Sequence, residues 1–231
     1  MADFAYVPGL AISTSEVRNA PRHSALVRIT HWIFSVSFFG LVVSGFAILL
    51  SHPHFYWGET GGIGTPSLFD LPLPTMLGGP SGWGRSLHFL SAWIAVLIGL
   101  LYAISGIVTQ HFRTQLIPAT GDLSWHSLFE LPAKDDSYNI LQRISYLAVV
   151  FVLFPMMIVT GLAMSPVITS VIPRIVTVFG GHQSARTIHF FLGDFLILFL
   201  LVHIAMVIVA GFSRRVGAMI TGRAAVTKES E

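Results

Sequence analysis

The sequence predicts an all-α integral membrane protein: a four-helix bundle built from a two-helix hairpin repeated, with both termini cytoplasmic. Three observations carry this reading. Of the 231 residues, 53% are hydrophobic and only 10% charged, whereas about a quarter of a soluble domain is charged. Four apolar stretches are long enough to span a bilayer, which takes about 20 residues each. The four stretches also match one another in pairs. A formal net charge of +2 gives nucleic-acid binding no electrostatic support. Cysteine is absent, which excludes disulfides, Cys-ligated zinc, iron–sulfur clusters and covalent c-type haem. Residues 1–27 contain Asp3, Glu16, Arg18 and Arg22 and no long apolar core, so no signal peptide is expected.

The spans are expected at 31–50, 87–109, 140–165 and 187–212, all within one domain covering 1–231. Ser51-His52-Pro53-His54, the 110–138 segment and Ser165-Pro166 separate them. Pro155 is expected to kink the third. Ten of the 13 basic residues lie before span one, between spans two and three, or after span four. The positive-inside rule therefore places those segments in the cytoplasm and loops 51–86 and 166–186 outside. Loop 51–86 is rich in Gly, Pro and aromatic residues, and reads as a packed cap or as a docking surface.

Spans two and four open alike, with Arg85-Ser-Leu-His88-Phe89 and Arg186-Thr-Ile-His189-Phe190. Tyr102 and His203 each follow 14 residues after the histidine. Spans one and three run from Arg28-Ile-Thr-His31 to Ser44-Gly45, and from Arg143-Ile-Ser-Tyr146 to Thr160-Gly161, with one residue more in the latter. Parallel repeats of this kind occur in membrane bundles.

An ionisable side chain inside a span is costly and marks function by default. His88, His189 and His203 lie within spans, and His31 lies at the mouth of span one. His189 and His203 share a helix face about 21 Å apart along the axis. Topology puts His88 level with His189 and His31 level with His203. Two facing imidazoles suit an octahedral iron whose other four ligands are a porphyrin, so two stacked haem sites are expected. His203 lies 11 residues before Arg214, whereas His31 lies three after Arg28. Tilt, or a fourth span projecting beyond the bilayer, must absorb that mismatch. Arg28, Arg85 and Arg186 pair with haem propionates or mark the interface. Gly45, Gly99, Gly161 and Gly193 admit a macrocycle or simply a close helix. Asp194 lines a polar cavity or makes an interhelical hydrogen bond. His52, His54, His111, His126 and His182 read as solvated.

These motifs resemble the bacterial cytochrome b561 / nickel–iron hydrogenase b-type cytochrome family, which includes membrane subunits of formate dehydrogenases and thiosulfate reductases. The likeness runs from Arg28-Ile-Thr-His31-Trp32 to Met219-Ile-Thr-Gly222 and is closest to the thiosulfate reductase cytochrome b branch. It implies two haem b, one on His88 and His189 and one on His31 and His203, with quinone exchange near the inner haem. Tyr138, Asn139 and Gln142 lie at that level and bind quinone or cap the helix. The implied role is an electron-transfer subunit of an oxidoreductase complex in the bacterial inner membrane. It would link the quinone pool to a periplasmic molybdenum or iron–sulfur partner. Two rivals stand beside it. One is a stand-alone di-haem oxidase passing electrons from a small reductant such as superoxide to quinone. The other, of another class, is a divalent-metal or proton transporter using the histidines and Asp194.

Overall fold

The computed structural model describes residues 4–7, 10–13, 24–62, 64–73, 80–109 and 140–222. A short antiparallel hairpin, β1 (Phe4–Val7) with β2 (Leu10–Ser13), precedes the bundle. Helix α1 covers Ala25–Ser51 and α2 covers Pro80–Val108. The third span comprises α3 (Ile140–Ala148), a π-helical turn (Val149–Leu153) and α4 (Phe154–Ala163). Two short helices, α5 (Pro166–Val171) and α6 (Arg174–Val178), lead into α7 (His182–Val209), followed by α8 (Phe212–Thr221). Among the described residues four helices are long and apolar enough to cross a membrane, so the expected integral membrane helical bundle is what the chain forms.

The exterior of the bundle is its most apolar surface. Val36, Phe39, Leu97 and Val209 are all largely exposed. The buried side chains of α1 are Thr30, Ser37, Ser44, Ala47 and Ser51. Lipid is as apolar as leucine, so large side chains gain nothing by facing inward, while small ones let helices approach. Gly40 of α1 takes the Ser91 side chain where a Cβ would otherwise stand, and Gly84 of α2 lies against Ala47. Each buried hydroxyl of α1 is satisfied within that helix. Thr30, Ser37 and Ser44 donate to the carbonyls of Leu26, Ile33 and Gly40, four residues back. This is the economy that a medium without water demands.

Span one begins six residues earlier than hydropathy predicts. Ser24 caps α1 by accepting from the Val27 N–H at 3.3 Å, and the helix continues through Arg28. The π-helical turn ends immediately before Phe154-Pro155. Proline has no N–H to donate, and its ring collides with the carbonyl four residues back, here Phe151. The wider turn relieves that collision, so the expected kink at Pro155 takes the form of a π bulge.

Loop 51–86 packs as a cap where the structure describes it. β3 (His54–Phe55) pairs antiparallel with β4 (Phe69–Asp70), so the all-α expectation omits two small hairpins. Phe55 is 1% exposed, stacked on Phe69 and packed on Phe190 of α7. The first N–H groups of α7 have no partner inside the helix. Gly58 supplies one: its carbonyl accepts from Gln183 at 2.9 Å, and its own N–H donates to Ser184 Oγ at 2.7 Å. Thr187 Oγ1 donates to the Tyr56 carbonyl at 2.8 Å. Gly181, at φ 125°, backs directly onto Gly58, where a Cβ would strike the carbonyl.

Candidate functional site: two facing histidine pairs

The structure brings together both histidine pairs that the sequence predicts. His88 of α2 faces His189 of α7 with ring centres 6.2 Å apart, towards the capped end of the bundle. His31 of α1 faces His203 of α7 at 6.5 Å, towards the opposite end. A metal held between two imidazoles at the usual bond length of about 2 Å separates the ring centres by about 6.3 Å. Both pairs fit that spacing with two nitrogen donors each. Among the described residues no group of three or more His, Asp or Glu converges. Two donors leave the remaining coordination positions to another group, which is what a porphyrin fills.

The capped-end pair is built twice on one plan. Ser44 Oγ of α1 lies 3.0 Å from His88 Nδ1, and Thr160 Oγ1 of α4 lies 2.9 Å from His189 Nδ1. Each hydroxyl precedes a glycine, Gly45 or Gly161, where a Cβ would touch the imidazole Cε1 at 3.7 or 3.4 Å. The sequence presents Ser44-Gly45 and Thr160-Gly161 as marks of the repeat. Their bonds to the histidines are a role that the spacing alone does not reveal.

The opposite end departs from the repeat. The residues equivalent to His31 and His203 are Tyr146 and Tyr102, and Tyr146 donates its phenolic proton to Tyr102 at 2.5 Å. His203 is stacked on Phe199, and His31 meets the Trp32 ring edge-on at 5.3 Å. The helix carrying His203 ends short of the expected boundary at residue 212, and the basic residues Arg214 and Arg215 lie on a separate helix. Helix α7 stops at Val209, Gly211 turns the chain at φ 97°, and α8 folds back on α1. Arg28 Nη1 donates to the Ile220 carbonyl at 2.8 Å and Trp32 Nε1 to the Met219 carbonyl at 3.2 Å. Gly222, at φ 81°, leaves the room that the guanidinium occupies.

Two of the three arginines bind backbone carbonyls within the protein. Arg28 holds α8, and Arg186 donates from Nη2 to the carbonyls of His52 and His54 while lying over the Phe55 ring. Arg85 is exposed. Burial and the Arg186 charge hold the His52 imidazole below its ordinary range. The hydrogen bond from His54, helped by one from Ser67, lowers the Asp70 carboxyl. Asp194 lies on the exposed face of α7. Gln142 falls in the first turn of α3, while Tyr138, Asn139, His111 and His126 lie outside the described residues.

A membrane four-helix bundle with paired intramembrane histidines is the construction of a b-type cytochrome. The chain belongs to the prokaryotic cytochrome b561 family, whose family model matches residues 22–222. It is a membrane haem b electron-transfer subunit and a multi-pass protein of the bacterial inner membrane. It is 31% identical over 206 residues to YedZ1 of Azospira oryzae, described as a subunit of a protein-methionine-sulfoxide reductase. That match covers 87% of this chain and 96% of the relative. No solved structure matches the chain.

Proposed function

We propose that this subunit is a single di-haem domain, with His88 and His189 holding one haem b and His31 and His203 the other. In this reading it carries electrons across the membrane between quinone, at the cytoplasmic end, and a periplasmic redox partner such as a molybdopterin oxidoreductase. The observation that carries the proposal is the pair of ring separations, 6.2 and 6.5 Å. Bound there, haem b supplies reversible one-electron chemistry at a potential set by its ligands, nearby charge and burial. The protein does the rest. Helix α7 fixes the two levels about 21 Å apart. The Phe55–Phe69–Phe190 cluster seals the capped end, and Arg186 ties the loop across it.

Quinone exchange is supported by a groove of about 530 Å³ beside His31, lined by Arg28, Ile29, Trp32, Ile33, Met219 and Ile220. The groove is open and mainly apolar. Quinone binding by Tyr138, Asn139 and Gln142, and propionate binding by Arg28, Arg85 and Arg186, stay part of the proposal. A soluble partner is supported by the relative's description as a reductase subunit.

The test is haem stoichiometry with a reduced-minus-oxidised spectrum of the purified protein. Two haem b per chain are expected, falling to one in His189→Ala and in His203→Ala. No b-type bands, or full haem content in both variants, overturns the assignment. Reduction by a quinol analogue in vesicles, lost on blocking the groove with Ile29→Trp, tests the quinone side.

A further inference from the structure

We infer that Ser44 and Thr160 are positioning residues for the capped-end histidines, fixing which ring nitrogen faces the core and strengthening its electron donation. This inference rests on the haem reading above. Both side chains are fully buried, at 0% exposure. Ser44 Oγ lies 2.6 Å from the Gly40 carbonyl and 3.2 Å from that of Leu41. Thr160 Oγ1 lies 2.8 Å from the Met156 carbonyl and 3.0 Å from that of Met157. A carbonyl only accepts, so each hydroxyl proton is committed to its own helix. What the oxygen still offers is a lone pair, and the atom facing it is the histidine Nδ1. In the haem reading Nε2 is turned to the iron, so Nδ1 carries the proton and donates to that oxygen.

Both imidazoles are thus held as the Nδ1–H tautomer, which leaves the Nε2 lone pair for a metal. An acceptor on the far N–H raises the basicity of the ligating nitrogen, and such partners are typically worth about 10- to 100-fold in metal affinity. A more basic ligand favours the ferric state, so the two hydroxyls lower the potential of the capped-end haem. The same hydroxyl, the same back-bond and the same following glycine occur in two helices far apart in the chain, each against its own histidine. Ser44 and Thr160 both face the His88–His189 pair, so the capped-end haem is where their effect is expected.

The experiment is a redox titration of the whole protein in detergent, with low-spin ferric EPR and haem content measured alongside. The variants are Ser44→Ala, Thr160→Val, Ser44→Thr and Thr160→Ser. Ser44→Ala and Thr160→Val are expected to move one of the two haem transitions to higher potential and shift its EPR signal. The other transition should stay still. Thr160→Ser and Ser44→Thr, which keep the hydroxyl, should titrate as wild type. Loss of one haem in Ser44→Ala or Thr160→Val with retention in the hydroxyl-keeping variants supports the inference equally. Unchanged potentials and EPR in Ser44→Ala and Thr160→Val overturn it. So does a Thr160→Ser variant that shifts as far as Thr160→Val, since packing of the methyl group would then be the cause. A wild type without haem b overturns the haem reading itself, and this inference with it.

Discussion

The two ends of the bundle treat the internal repeat differently. At the capped end, each half contributes the equivalent residue, His88 from one and His189 from the other, each with its own hydroxyl and glycine. At the opposite end, the histidine pair joins non-equivalent residues, the first helix of one half and the second helix of the other. Repetition of that pair would produce a second one, and its place is taken by the hydrogen-bonded tyrosines 102 and 146. A pair formed from equivalent positions is complete once both halves keep their residue. A pair formed from non-equivalent positions occurs twice unless one copy changes, and here it has.

The largest expected effect tests whether a pair acts as a unit. His88→Ala and His189→Ala should each remove one haem, and the double variant should remove no more than either single, as measured by the pyridine haemochrome. Next is the cap. Gly181→Ala forces a side chain into positive φ and onto Gly58, at a cost of about 1–3 kcal/mol for the backbone alone. The expected readout is faster proteolysis of loop 51–86 and a lower Tm. Tyr146→Phe should be smaller still: intramembrane side-chain hydrogen bonds average about 0.6 kcal/mol, so thermal stability falls slightly while both haem signals persist. That persistence is what separates the tyrosine pair from the histidine pair. The smallest effect concerns the β3–β4 hairpin. The bond from His54 lowers the Asp70 pKa, so its stabilisation is present above the ordinary carboxylate pKa and fades as pH falls through the depressed one. Both groups are half-exposed, so solvent screens the pair. Asp70→Asn should flatten that acid dependence in a pH series of hairpin proton exchange.

The spans and the histidine pairs were legible because lipid imposes length and penalises ionisable groups, leaving both written in composition and spacing. The extra residue between Tyr146 and Thr160 was legible as an irregularity of the repeat, and the π-helical turn at Val149–Leu153 is where it goes. Three features carried no such signal. The start of α1 lies upstream of the apolar window because Ser24 caps the helix and Arg28 is satisfied by the Ile220 carbonyl of α8, 192 residues away. The break after Val209 depends on Gly211, which sits in an otherwise apolar run. The strands at His54 and Phe69 are two residues each and too short for a periodicity to register. The hydroxyls of Ser44 and Thr160 were visible as text but not as chemistry. Serine and threonine are ordinary in membrane helices, and only their distance to an imidazole separates these two from the rest.

The widened turn in span three makes that helix a length buffer. Its two flanking segments keep the phase of their counterparts in span one although the chain between them is longer. Removing one valine from Val149-Val150 should let the turn tighten to ordinary α-helical winding, with Tyr146 and Thr160 still aimed where they are now. A shortened membrane helix would then keep its pigment, whereas the same deletion between His31 and Ser44 would rotate one end of span one by about 100° and abolish binding.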